Sequence, residues 1–242
     1  EGLAEEERLG VNPYKLGFVA STDTHNGTPG LVEEHAYPGH WGIKEDTPEE
    51  RLQFGGITHQ GLIANPGGLT AVWAPENSRD ALFESFRRRE TYATSGPRIE
   101  VRVFGGWDLP RDLCRREDAL ETGFASGVPM GGDLPPPPAD GGPPVLFVSA
   151  VRDPGPPGRA GAMLQRIQIV KGWLDLENGV SRKRYDVFDA AGDPAAGTGV
   201  DLETCTGTDG GFDRLCTVWV DEQFDPAERA YYYVWVLEVP TC

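Results

Sequence analysis

In this 242-residue chain the side chains best suited to chemistry are Asp23 and His25, which close the apolar run Lys15-Leu-Gly-Phe-Val-Ala-Ser-Thr-Asp-Thr-His25. On a strand, residues two apart share a face, so a carboxylate and an imidazole would point the same way. The run is therefore predicted as a buried strand that presents two ligands to a metal ion at its end. Asp23 is the candidate for ligation and for proton transfer, His25 for ligation as a neutral imidazole. Ser21, just before the pair, is a candidate hydrogen-bond donor to them. Carboxylate oxygen with imidazole nitrogen suits divalent Zn, Mn or Fe, ions that lower the pKa of bound water. Catalytic sites of this kind use three protein ligands, so the expected metal binding by this chain alone is weak or absent.

The segment after the pair, residues 27–68, is rich in Gly, Pro, His and aromatic residues and reads mostly as loop. His35 and His40 lie there and are candidates for substrate contact, with surface loop histidines as the alternative; His59 has less in its favour. Within the loop, residues 47–53 read as a short helix, with Thr47 and Glu50 forming a capping box around Pro48. A second helix is predicted within residues 75–90, capped by Asn77 or Ser78, with Leu82 and Phe86 on an apolar stripe. Arg89 and Tyr92, at its exit, read as structural.

From Arg98 onward the pattern changes to alternating strands over residues 98–104, 145–151, 164–171, 183–188, 215–220 and 231–239. With no convincing helix among them, these predict an antiparallel β-sandwich. The proline tracts at 134–144 and 153–157 fit stiff surface loops. Trp107, Trp173, Trp219 and Tyr231 to Tyr233 are core residues at strand spacing, or, if exposed, a binding surface. Four cysteines include no Cys-x-x-Cys pair, which argues against structural zinc and thioredoxin-like chemistry. A Cys205–Cys216 disulfide across a turn is conceivable in an oxidising compartment, with free thiols otherwise.

The formal charge of −16, from 22 basic and 38 acidic residues, argues against nucleic acid and anionic membrane partners. No apolar run is long enough to span a bilayer, and the acidic N-terminus is unlike a signal peptide, so the chain reads as soluble. The compartment stays open, a bacterial periplasmic or otherwise extracytoplasmic one included.

Ala20-Ser-Thr-Asp-Thr-His25, Asn65-Pro-Gly-Gly-Leu69 with Trp73, Arg89-Glu-Thr-Tyr-Ala-Thr-Ser-Gly96 and Arg98-Ile-Glu-Val-Arg-Val-Phe-Gly-Gly-Trp107 together resemble the C-terminal part of a bacterial family, domain of unknown function 3604. Gly127-Val-Pro-Met-Gly-Gly-Asp-Leu134 and Arg166-Ile-Gln-Ile-Val-Lys-Gly-Trp173 extend the resemblance. That family is similar to the PHP (polymerase and histidinol phosphatase) metallohydrolases, whose last metal motif is an Asp-x-His at a late barrel strand. The resemblance implies an α+β chain: the terminal portion of a PHP-type distorted β/α barrel over 1–97, then the all-β sandwich over 98–242. It implies a metal-dependent hydrolase of a small-molecule substrate, a phosphoester first and an amide or ester next, with Asp23 and His25 as metal ligands. The family's earlier His-x-His motif has no counterpart here, so a missing N-terminal portion of the same protein is the expected partner, and the chain alone is expected to be inactive. The competing expectation is a non-catalytic β-sandwich module that binds a partner or a carbohydrate.

Overall fold

The computed structural model describes residues 1–32, 40–41, 47–51, 67–139, 142–177, 180–204, 206–207 and 210–241. It is an α+β structure with short helices and antiparallel sheets, in two compact units: Gly17–Ile99, and Glu1–Leu16 with Glu100–Cys242. Among the described residues no helix is long and apolar enough to cross a membrane.

In the larger unit, β3 (Glu100–Gly106), β4 (Val128–Pro129), β5 (Val145–Val151) and β10 (Arg214–Val220) form one antiparallel sheet in the order β10-β5-β3-β4. A second antiparallel sheet, β11-β6-β7, consists of β6 (Leu164–Glu177), β7 (Val180–Gly192) and β11 (Ala230–Glu238). The alternation read from sequence finds these strands, because strand side chains alternate between faces, although β6 and β7 run several residues beyond their expected bounds. Two short strands, β8 (Val200–Asp201) and β9 (Thr206–Gly207), form a separate pair. Trp219 of β10 packs between Phe188 of β7 and Tyr232 of β11, so aromatic contact links the two sheets.

Beneath Trp219 the sheets share a buried polar network. The Lys171 ammonium of β6 lies 2.7 Å from Asp221 Oδ2 and donates to the Gln223 carbonyl at 2.9 Å. Tyr232 of β11 donates its hydroxyl to the same carboxylate oxygen at 2.6 Å, and the Gln223 amide donates to Asp221 Oδ1 at 3.0 Å. Asp221 itself follows β10 directly, and its amide donates to the carbonyl of Pro144, the residue before β5. Burial, and then the bond to Asp221, hold the Tyr232 phenol well above its ordinary pKa.

The region after Arg98 also contains helix, contrary to the expectation of strands alone. A 3₁₀ turn (Leu113–Arg115) and a helix over Ala119–Ser126 lie against β3 and β5. The helix is too short and too burdened by Gly123 to be read from propensity; packing makes it. A Cβ at Gly123 would come within 2.8 Å of Phe104, so glycine lets the helix lie on that ring, while Phe124 meets it edge-on at 4.9 Å.

The disulfide joins Cys216 to Cys114, not to Cys205, which lies outside the described residues. Leu113 is fully buried with Phe104, Leu109, Val145 and Phe147, and Cys216 packs against the same cluster. The core thus brings Cys114 beside Cys216 across 102 residues, with Cα atoms 5.7 Å apart. Turn proximity alone could not reveal that pairing.

In the smaller unit, β1 (Leu69–Val72) and β2 (Thr91–Thr94) form an antiparallel pair, Leu69 opposite Thr94. Between them runs the helix Arg79–Arg87, whose N-cap Ser78 accepts from the Ala81 amide as expected. Its stripe differs from the expectation: Phe83 and Phe86 are exposed, and Ser85 is the buried residue, donating to the Ala81 carbonyl. At its exit Arg89 takes a left-handed φ of 60°, and the Glu90 amide closes back on the Ser85 carbonyl. The short helix Pro48–Arg51 carries the predicted capping box: the Glu50 amide donates to Thr47 Oγ1 at 3.3 Å and the Thr47 amide to Glu50 Oε2 at 3.4 Å. Residues 52 and 53 of that predicted helix lie outside the described residues.

Two stability predictions follow from the larger unit. Lys171→Met strands the Asp221 charge in the interior and lowers unfolding free energy by about 3–5 kcal/mol, while pairing it with Asp221→Leu recovers much of the loss. Reduction of Cys114–Cys216, or both Cys→Ala, lowers it by up to about 4–5 kcal/mol on the chain-entropy scale for so long a loop. Denaturant melts of oxidised, reduced and substituted protein measure both.

Candidate functional site

The run expected to be a buried strand is an extended segment outside any sheet, with Leu16, Phe18 and Val19 exposed, Val19 by 68%. The cause lies in how its backbone is satisfied. A strand interior needs a ladder of backbone bonds. Here threonine hydroxyls take much of the ladder's place. Thr70 Oγ1 accepts from the Ala20 amide at 2.9 Å and donates to the Ala20 carbonyl at 2.6 Å, and Thr91 Oγ1 donates to the Phe18 carbonyl at 2.9 Å. At Ser21, whose carbonyl accepts from the Gly68 amide at 2.9 Å, a backbone bond completes the alignment.

Two glycines permit this close passage. Gly67 has φ +87°, and a Cβ on it would fall 2.8 Å from Thr22 Cα; one on Gly68 would fall 2.6 Å from Ala20 Cβ and 2.8 Å from the Thr94 carbonyl. The sequence motif around them signals a turn, but its role as a bed for residues 20–22 depends on contacts across some 45 positions.

Asp23 takes φ +52°, a left-handed conformation uncommon for a residue with a Cβ, though Asp is among the more tolerant types, and the chain bends just after it, at residues 25–27. On either side, the hydroxyls of buried Thr22 and of Thr24 lie 3.1 Å apart. The Asp23 side chain is exposed. Because its backbone is left-handed, strand alternation does not set the direction of Asp23 relative to His25.

His25 is held by other means. Its amide donates to the His40 carbonyl at 2.8 Å, and its ring stacks on Trp41 with centroids 4.3 Å apart and planes 25° from parallel. The His40 ring lies 5.0 Å from both, buried at 6% exposure, whereas His25 is exposed. The structure therefore brings His40 to His25, with Trp41 as the residue that sequence reading missed. Ser21 is exposed, and His35 and His59 lie outside the described residues. The donor types at Asp23 and His25 fit a divalent first-row ion. Among the described residues, no group of three or more His, Cys, Asp or Glu side chains is gathered that could hold one.

The sequence profile of a family described as a protein of unknown function, DUF3604, matches residues 1–242. The chain belongs to that family. No curated protein and no solved structure matches it. In this DUF3604 chain, Trp107, Trp173 and Trp219 are part-buried: Trp107 donates its indole N–H to the Pro135 carbonyl and packs on Phe224, and Trp173 lies under the Lys171 ammonium. Tyr231 is exposed and Tyr232 turns inward.

Thr70→Val keeps the shape of β1 but removes both bonds to Ala20, at a cost of about 1–3 kcal/mol. Gly67→Ala forces a Cβ toward Thr22 and costs about the same or more. Hydrogen exchange should show faster exchange of the Ala20 and His25 amides in both variants, with strands β5 and β6 unaffected.

Proposed function

We propose that this DUF3604 protein contributes to a metal-dependent hydrolase of PHP type, acting first on phosphoesters and next on amides or esters. The observation that carries the reading is the conformation of the Asp23–His25 segment. A solvent-facing carboxylate is held in an unfavourable backbone conformation beside an imidazole fixed by a backbone bond and two aromatic neighbours. Local strain kept where packing does not demand it is a mark of functional positions. In this reading Asp23 and His25 hold one side of a divalent ion, Zn, Mn or Fe, which supplies an acidified water. Asp23 takes the proton released at its carboxylate oxygen. His40 backs His25; His40 and His35 are the candidates for substrate contact, and Ser21 donates to the ligands from the approaching chain. The remaining ligands come from beyond the described residues, in the barrel portion that the PHP reading requires, and the two sheets of the larger unit make up its sandwich.

The Cys114–Cys216 disulfide favours an oxidising, extracytoplasmic setting such as a bacterial periplasm.

Elemental analysis and phosphomonoesterase, phosphodiesterase and arylesterase assays test the proposal, on this chain and on any longer natural form, reloaded with Mn or Zn. Hydrolysis by the metallated form should fall about a hundredfold in Asp23→Asn, with metal content also reduced in Asp23→Ala/His25→Ala. Undiminished metal content and activity in these variants would remove the pair from the site.

A further inference from the structure

The outer face of the β11-β6-β7 sheet carries aromatic side chains that the fold does not bury. Tyr232 points inward to Asp221, so its alternates Tyr231, Tyr233 and Trp235 lie on the opposite face. Across the sheet the register runs Tyr231, Gly172, Tyr185; then Tyr233, Val170, Val187; then Trp235, Gln168, Asp189. Tyr185 is 71% exposed, Tyr231 51% and Trp235 47%. Exposed singly, such residues need no account; gathered on one face they mark a binding surface.

The geometry of the patch narrows the ligand. The Tyr231 and Tyr233 rings are 11° from parallel with centroids 6.2 Å apart, and Trp235 follows at 5.8 Å from Tyr233, turned edge-on at 72°. A Cβ at Gly172 would stand 2.3 Å from Tyr231 Cζ, so the missing side chain lets that ring lie down over the sheet. The result is an aromatic floor of near-parallel Tyr231 and Tyr233 rings with Trp235 standing across its end. Burial raises the pKa of the Tyr233 phenol, and the Tyr231 and Tyr185 phenols add to the rise. Beside Trp235, Gln168 Nε2 donates to Asp189 Oδ1 at 2.8 Å, and Arg166 Nε lies 3.5 Å from the same oxygen. Planar amide, carboxylate and guanidinium groups that hold one another in place offer paired donors and acceptors to vicinal hydroxyls.

We infer that this face binds a neutral polysaccharide, its sugar rings lying on Tyr231, Tyr233, Trp235 and Tyr185 and its hydroxyls meeting Gln168 and Asp189. A sugar ring offers an apolar C–H face with a hydroxyl rim, which matches an aromatic floor with a polar edge. The row from Tyr231 to Trp235 spans about 13 Å, room for more than one sugar ring. A formal charge of −16 opposes acidic polymers. This surface is independent of metal and goes beyond the hydrolase reading.

The full chain tests it, by affinity electrophoresis through gels containing β-glucan, xylan, mannan, α-glucan or polygalacturonate, and by co-sedimentation with cellulose and chitin. Expected is retention by at least one neutral polymer, unchanged by EDTA or by Asp23→Asn. Tyr185→Ala and Trp235→Ala should each weaken it by about tenfold or more, with Gln168→Ala weaker in effect. Trp235→Phe, with melting temperature as a check, stands in if the alanine variant does not fold. No retention by any neutral polymer, retention unmoved in the Tyr185→Ala/Trp235→Ala protein, or binding to polygalacturonate alone overturns the inference. So does concentration-dependent self-association that disappears in that double variant without polysaccharide binding, which would make the face an interface between copies.

Discussion

The larger unit depends on one buried ion pair, Lys171 with Asp221. Lys171 stands in the middle of β6 and Asp221 at the exit of β10, so the pair ties one sheet to the other. Removing two charges from water costs more than their attraction returns unless the remaining donors and acceptors are also satisfied. Here Tyr232 and the Gln223 backbone satisfy them, and Glu228, whose pKa burial raises, adds a carboxylate 3.9 Å from the ammonium. The consequence is register control. A one-residue slip of β6 would turn Lys171 to the outer face and leave Asp221 buried without its cation. An apolar pair at these positions would permit such slips; a charged pair penalises them heavily.

The same register decides what the outer face presents. With Lys171 fixed inward, Val170 and Gly172 lie on the opposite face, where both are buried, and Gly172 is the residue over which Tyr231 folds. The aromatic floor and the buried network are thus opposite sides of one constraint. The core on the inner face, with Ile167, Ile169 and Trp219, is complete without these aromatics; on the outer face Tyr231 covers Gly172, and Val170, opposite Tyr233, is buried. That cover still leaves Tyr185, Tyr231 and Trp235 about half or more exposed, and it is this remaining surface that the proposed ligand would use.

What could be read from the sequence follows the range of the forces involved. Strand alternation is local, and the strands at 145–151, 215–220 and 231–239 fall within a residue of their predicted bounds. Capping is also local, and both Ser78 and the Thr47–Glu50 box behave as their residue types dictate. The Cys114–Cys216 bond was illegible because a 3₁₀ turn, itself held by the burial of Leu113, brings Cys114 into place. The segment before Asp23 misled for the complementary reason. Its apolar content suggested burial, but threonine hydroxyls of β1 and β2 hold its backbone while its side chains face outward.

At Asp23 and His25 the local arrangement could not be read from the sequence. Period-two reasoning put the two on a common face; the left-handed φ at Asp23 cancels that reasoning. Gly67 and Gly68 let residues 20–22 run close against their own backbone, with Thr22 buried just before Asp23. Between Thr22, so placed, and His25, whose amide is bonded to His40, Asp23 takes a left-handed φ. Glycine would do so at least steric cost, and Asn or Asp at a modest one. Glycine takes a left-handed φ at Gly67, yet position 23 carries an exposed carboxylate. The backbone conformation alone therefore does not account for an Asp here; in the proposed reading the carboxylate is there as a metal ligand.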